Sequence, residues 1–431
     1  MRPKNQPWTG QFWFGGLGQS EGIGLRSRQS VLLLLVTLAI VTFLDRIAIS
    51  VAAPRIQREL SITPDRWGWV IGAFVLAYGI FEMPTGAMGD RYGQRNVITR
   101  IVVWWSVFTA LTGAATGFWT LFIIRFLFGM GEAGAYPNIS GVIARRFPIT
   151  ERARTQGFVW AASRLGGALS PLVMTPMQAF FGWRVAFLAL GIIGIAWALW
   201  WRAGFRDEPA EATATALVPA AHKAIPWAIL FRSRQLWMIF AMYWCYAWGS
   251  WFYFGWFPTY LTKRGFTEAE MGIYSALPFV LGAAGNLAGG FLGDRLVRAY
   301  GVVLGRRVLG CTCLAVSALL LIALSQSDDR TAIVVLSACG FGVADLMLPS
   351  AWAVCLDIGG AYAGAVSGFM NTAGQLGGFV CSVLYGYVVQ ATGSYNTGLI
   401  IVAAMVMIAA GLFSRIDPSK AVVPEEGIVH A

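Results

Sequence analysis

Histidine is almost absent from this 431-residue chain: His222 sits in a central polar stretch and His430 next to the last residue. Neither can be a buried proton relay, and no Ser-His-acid arrangement can be assembled. Charge is scarce too. Asp, Glu, Lys and Arg make up 12% of the residues, against roughly 25% in soluble domains. A soluble fold would have to expose much of the 57% that is hydrophobic. The six cysteines, Cys245, Cys311, Cys313, Cys339, Cys355 and Cys381, lack metal-ligand or secreted-framework spacing and read as small core residues. No metal and no cofactor is implied. Acidic residues are outnumbered, giving a net charge of +11, but the basic residues lie in short strips and do not gather on one face with aromatic partners, so nucleic acid is not the expected partner. Asp90-Arg91-Tyr92-Gly93 mimics a phosphate loop only weakly, without the strand and helix that such a loop needs. An enzyme is not expected.

What the chain has is long apolar runs, with a mean hydropathy of +0.62. A hydrocarbon core needs about 20 helical residues. Runs of that length recur near 31–52, 69–87, 97–115, 121–140, 155–177, 183–201, 236–261, 271–292, 308–324, 332–355, 363–389 and 395–413. The expectation is an all-α membrane protein of twelve transmembrane helices, surrounded by lipid. The first run carries Asp45 and Arg46 and lacks a small-residue cleavage site, so a removable export signal is not expected. Arg and Lys concentrate in alternate connections, among them Arg26, Arg28, Arg145, Arg146, Arg232, Arg306 and Arg307. The positive-inside bias therefore puts both termini in the cytoplasm of a cell whose inner membrane holds the protein. Residues 202–235, rich in Ala, Pro and Thr, read as a linker with a possible surface helix. They divide a tail at 1–30 and a six-helix bundle at 31–201 from a second bundle at 236–413 and a tail at 414–431.

The halves repeat. Gly86, Asp90, Arg91, Gly93 and Arg95 follow the second run; Gly290, Asp294 and Arg295 follow the eighth. Matching turns at one depth imply parallel repeats about an axis along the membrane normal. Asp and Arg there can latch helix ends, which reads as a gate brace. Ionised side chains inside the runs are costlier and more telling. Arg46 can clamp a carboxylate with its planar fork, or only neutralise Asp45 or Glu132. Asp45 and Arg125 can form a pair that opens to take up a proton, or a fixed tie between helices. Glu132, seven positions after Arg125, can face the same pathway and couple protonation to anion binding, or be structural. Glu82 lies four residues before Gly86 and reads as part of the brace. Asp345 can pair with Arg164 or sit near water. In the aromatic seventh run, Tyr246, Ser250 and Tyr253 form the polar stripe.

The paired turns around Asp90 and Asp294 resemble those of the major facilitator superfamily. Within it, Phe43-Leu44-Asp45-Arg46, Arg125 with Glu132, Pro137 and Asn138, Trp256 to Leu261, and Asn371 resemble the anion:cation symporter family, which includes bacterial galactonate, glucarate and hexuronate carriers and sialin-type transporters. The resemblance spans about 28–415. It implies that Arg46 contacts the acid group, that Asp45 takes a proton, and that Tyr78 and Asn371 supply polar contacts, with Gln375 one turn further. Galactonate-type carriers have glutamine where this chain has Arg164. A third intramembrane cation suits a second carboxylate or compensates an acid.

The resulting expectation is import of a small organic anion, a sugar acid such as an aldonate, aldarate or hexuronate, in symport with protons, by a monomer. An exchanger or exporter of an acidic metabolite on the same fold stays open. So does a non-transporting sensor, for which no output domain is visible.

Overall fold

The computed structural model describes residues 22–206 and 227–422. Residues 1–21 and 423–431 of the expected tails, most of the linker, His222, His430 and the side chain of Asp90 lie outside what is described. Among the described residues the chain is helical with no strand. The first part runs through α1 (Gly22–Glu59), α2 (Pro64–Tyr92), α3 (Gln94–Thr112), α4 (Phe118–Glu132), α5 (Ala135–Arg146) and α6 (Ile149–Gly204). A single turn, α7 (Trp227–Leu230), precedes α8 (Arg234–Gly255), α9 (Phe257–Lys263), α10 (Glu268–Gln326), α11 (Arg330–Gly359), α12 (Ala363–Thr392) and α13 (Tyr395–Phe413). Among the described residues, eight helices are long and apolar enough to cross a membrane.

The apolar runs do not map one to one onto these helices. α6 and α10, at 56 and 59 residues, far exceed a span and each is two rods joined at a non-helical glycine, Gly182 (φ 79°, ψ 157°) and Gly301 (φ 79°, ψ 167°). Gly301 shares its backbone state with Gly93 (φ 83°, ψ 143°), which separates α2 from α3 after the first copy of the repeated motif. Only glycine enters that region without a Cβ penalty, so the repeat is a repeat of a hinge as well as of charges. Two runs read as single spans are broken instead. One breaks at Gly134 (φ 85°), between α4 and α5; the other at Trp256, where Pro258 opens α9. Proline suits a helix's first turn because its missing N–H is unpaired there anyway. Helix starts are also written locally. The Thr267 hydroxyl accepts from Glu270 N at 3.3 Å while the Glu270 carboxylate accepts from Thr267 N at 2.8 Å, and Asp329 accepts from Ala332 N at 2.7 Å.

Burial is inverted relative to a soluble protein. Phe180 (82% exposed), Phe291 (79%) and Trp119 (70%) point outward, while Asp45, Arg46, Arg125, Glu132, Arg164 and Asp345 are buried. Apolar outside and charged inside is the arrangement lipid demands. Arg28, Arg91, Arg95, Arg146, Arg295 and Arg307 sit at one end of the bundle, where Arg306 pairs with Asp357 at 3.3 Å. At the opposite end Arg55, Arg184, Arg264 and Arg330 pair with Glu268, Glu59, Asp328 and Glu270.

Candidate functional site

A cavity of about 730 Å³ runs from mid-depth to the basic end. Its deep part is lined by Phe43 and Arg46 of α1, Tyr78 of α2, Arg164 of α6, and Tyr246, Ser250 and Phe254 of α8. Its mouth is lined by Gly86, Gln94, Ser140, Gln156 and Gly364, and one wall by Asn371 and Gln375 of α12. All five residues expected to meet the cargo, Arg46, Tyr78, Arg164, Asn371 and Gln375, therefore share one chamber.

The opposite end is shut. Arg55, near the end of α1, forms a two-pronged ion pair with Glu268 at the start of α10 and donates from Nη1 to the Gln178 carbonyl of α6 at 2.8 Å. Trp69 of α2 donates to the Tyr387 hydroxyl of α12 at 3.2 Å. Beside it a Cβ on Gly68 would sit 2.6 Å from the Ser382 carbonyl oxygen, so α2 and α12 touch backbone to backbone there. The sequence reading missed this brace. The N-capping box at Thr267–Glu270 locates the turn, but nothing along the chain pairs it with Arg55.

Arg46 donates from Nε to Glu132 Oε1 at 2.9 Å and from Nη2 to the same oxygen. Its guanidinium lies 4.9, 5.3 and 4.8 Å from the ring centroids of Phe43, Phe74 and Tyr78, an aromatic cradle that fixes it facing the cavity. Glu132, the last residue of α4, is fully buried behind it, and its Oε2 has no partner. Asp45 points elsewhere, as adjacent helix positions must. Its Oδ2 accepts from Trp105 Nε1 at 3.1 Å and from the Thr109 hydroxyl at 3.5 Å, while Oδ1 has no partner.

The expected Asp45–Arg125 pair is not formed: among the described residues the two share no ion pair. Arg125 instead lies 4.9 and 4.5 Å from the centroids of Phe74 and Phe128, with Nε unpartnered. α4 turns Arg125 toward aromatic faces of α2 and its own next turn, while α3 supplies Asp45 with donors. Asp45, Arg125 and Glu132 thus form a buried cluster behind the cavity wall and do not line it.

Two other expectations are corrected, and one is met. Glu82 does not join the brace. It lines the cavity and accepts from Asn371 Nδ2 at 2.9 and 2.8 Å, joining α2 to α12. Tyr253 leaves the polar stripe of α8 and donates to the Ser337 carbonyl at 2.8 Å, whereas Tyr246 and Ser250 do face the cavity. Arg164 takes up the acid offered as its partner. Its Nη2 donates to Asp345 Oδ1 at 3.0 Å and its Nε lies 2.7 Å from Oδ2. Gln375 keeps Oε1 unpartnered in the cavity wall.

Of the motif residues, Gly86 lines the mouth, where a Cβ would meet that of Pro137 at 2.8 Å. Arg91 lies exposed with its charge 5.3 Å from the Tyr92 ring, and Arg95 donates from Nε to the Arg202 carbonyl at 3.1 Å. Asp294 and Arg295 are exposed on α10.

The family profile of the Major Facilitator Superfamily matches residues 35–382. Among similar proteins, one from Cupriavidus necator described as a probable sulfoacetate transporter is 33% identical over 91% of this chain and 95% of its own. The hexuronate transporter of Bacillus subtilis is 31% identical over 89% and 93%. Among solved structures, a bacterial homologue of the human lysosomal transporter Spinster, inward-facing and occupied, superposes with a TM-score of 0.77 at 18% identity, over 92% of this chain and 97% of that one.

Proposed function

Because the chain belongs to the Major Facilitator Superfamily, whose similar members here are anion transporters and not enzymes, we propose that it imports a small organic anion together with protons. The observation that carries this reading is Arg46, a cavity-lining cation held by a carboxylate, Glu132, whose second oxygen is buried and unpartnered. An orphaned oxygen beside a cavity has room for a proton. With Glu132 neutral, Arg46 is left without a compensating charge, and an incoming carboxylate supplies one. Tyr78, Arg164, Asn371 and Gln375 surround the rest of the cargo. Their hydroxyl and amide groups suit a polyhydroxylated acid.

Asp45, with its free Oδ1 and with Arg125 in the same buried cluster, is the second proton site. Loading satisfies charges that are costly when bare, so the loaded carrier occludes and turns. Deprotonation on the inner side then releases the anion. The motif from Gly86 to Arg95, with Asp294 and Arg295, braces the basic end when that end closes. Twelve spans in two six-helix bundles joined by the 202–235 linker, cytoplasmic termini, an inner-membrane location and a monomeric unit complete the proposal. The proposed cargo is drawn from aldonates, aldarates, hexuronates and short sulfonated acids, of which hexuronate and sulfoacetate appear in the names of the two similar transporters.

The test is uptake of labelled gluconate, glucarate, glucuronate and sulfoacetate into proteoliposomes with an imposed pH gradient, acid outside. Accumulation above equilibrium for one of them supports the reading. Transport indifferent to the gradient, driven only by counter-anion inside, would replace it with exchange.

A further inference from the structure

We infer that Arg164 and Asp345 form a second, proton-gated anion seat, so that the preferred cargo is a short dianion that carries one proton more than a monoanion does. This rests on the symport reading and adds the charge of the cargo and a second acid to it.

The two seats are built alike. In each, an arginine lines the cavity and a fully buried carboxylate stands behind it: Arg46 before Glu132, Arg164 before Asp345. Both guanidinium carbons flank one ring, 4.9 and 6.0 Å from the Phe43 centroid, so the cations are neighbours in one chamber. A small molecule with an anionic group at each end can reach both.

The surroundings of Asp345 are simple enough to follow its charge. From α6 it faces Arg164; from α8, the Tyr246 hydroxyl donates to Oδ1 at 3.2 Å, with the Tyr243 ring centroid 5.2 Å from that of Tyr246. From α10 it faces Gly282, and on its own helix Phe341, one turn before it. No second acid and no second cation joins Arg164 there among the described residues. While Asp345 is ionised, a cargo anion at Arg164 would put two negative charges on one guanidinium in a water-poor site. A proton added to Asp345 removes one of them, and the cargo's anionic group replaces it. The local charge is the same before and after: one cation and one anion. Tyr246 serves both states, since its hydroxyl donates to a carboxylate and accepts from a carboxylic acid.

A fixed structural tie predicts something different. A buried pair joining α6 to α11 would then be needed only as a neutral unit, and the cargo's charge would be irrelevant to it.

The experiment compares like-sized probes on the full-length protein: glucarate with gluconate, and sulfoacetate with isethionate. Wild type is expected to bind the dianion of each pair at least tenfold more tightly at pH 5.5, with that preference shrinking at pH 7.5. Equal or reversed preference at both pH values overturns the inference. The double variant Arg164→Gln with Asp345→Asn leaves no lone buried charge, and its dianion-to-monoanion ratio is expected to fall at least tenfold. An unchanged ratio overturns the seat. In proteoliposomes, Asp345→Asn is expected to lower the number of protons moved per glucarate by one. If wild type accumulates these anions on a pH gradient while ratio and proton count ignore both residues, only this inference fails. If no anion responds to the gradient, the symport reading itself fails.

Discussion

Replacing Glu268 by Gln is expected to loosen the closed end of the carrier and move its conformational balance toward the opposite opening. Arg55 holds three helices there: α10 through the Glu268 carboxylate, α6 through the Gln178 carbonyl, and α1 through its own backbone. The pair is partly wet, with side chains 30% and 36% exposed, so its strength sits near the upper part of the surface range, about 1 kcal/mol. An ion pair present in one state and absent in the other shifts the equilibrium by that amount, roughly fivefold. Spin labels on exposed Thr63 and Lys263, on the two sides of the closed end, report this as a distance distribution. In a cysteine-free background the ratio of long-distance to short-distance populations should rise about fivefold in Glu268→Gln. It should return toward wild type in the charge swap Arg55→Glu with Glu268→Arg. A distribution unmoved by either variant would show that α2–α12 contact alone closes this end.

Other outcomes follow from the same geometry. Glu132→Gln retains an oxygen for Arg46 but no charge to titrate, so anion exchange should persist while gradient-driven accumulation falls at least tenfold; equal accumulation would remove Glu132 from coupling. Gly68→Ala places a Cβ 2.6 Å from the Ser382 carbonyl oxygen, and the thermal stability of the purified protein should drop by the equivalent of about 1–3 kcal/mol. Tyr253→Phe loses the buried bond to the Ser337 carbonyl, which should cost about 1 kcal/mol in the same assay without altering anion affinity.

Much of this architecture was legible because lipid imposes it. Runs of apolar residues, the basic strips and the repeated glycine-aspartate-arginine turns each have one physical cause, and Gly93 and Gly301 adopt one backbone state at matching points. The chamber residues were legible because charge inside hydrocarbon has few uses: Arg46, Glu132, Arg164 and Asp345 all meet partners across the bundle. What stayed hidden depends on rotation and distance. Asp45 and Arg125 are both charged and near in depth, yet the donors on α3 and the rings of α2 and α4 take them separately. Glu82 sits close to the motif in sequence, but its position on α2 turns it inward to Asn371, 289 residues away. Arg55 and Glu268 lie 213 residues apart, and no periodicity within either segment points to the other.

The central claim is that anion and proton move together because acids behind the cavity free the arginines that line it. Its most direct test is proton flux in proteoliposomes loaded with a pH dye and given no imposed gradient. Adding an accepted anion outside should acidify the lumen at a rate proportional to anion entry, and Glu132→Gln should carry anion exchange without that signal. Anion entry by wild type with no accompanying proton would contradict the account.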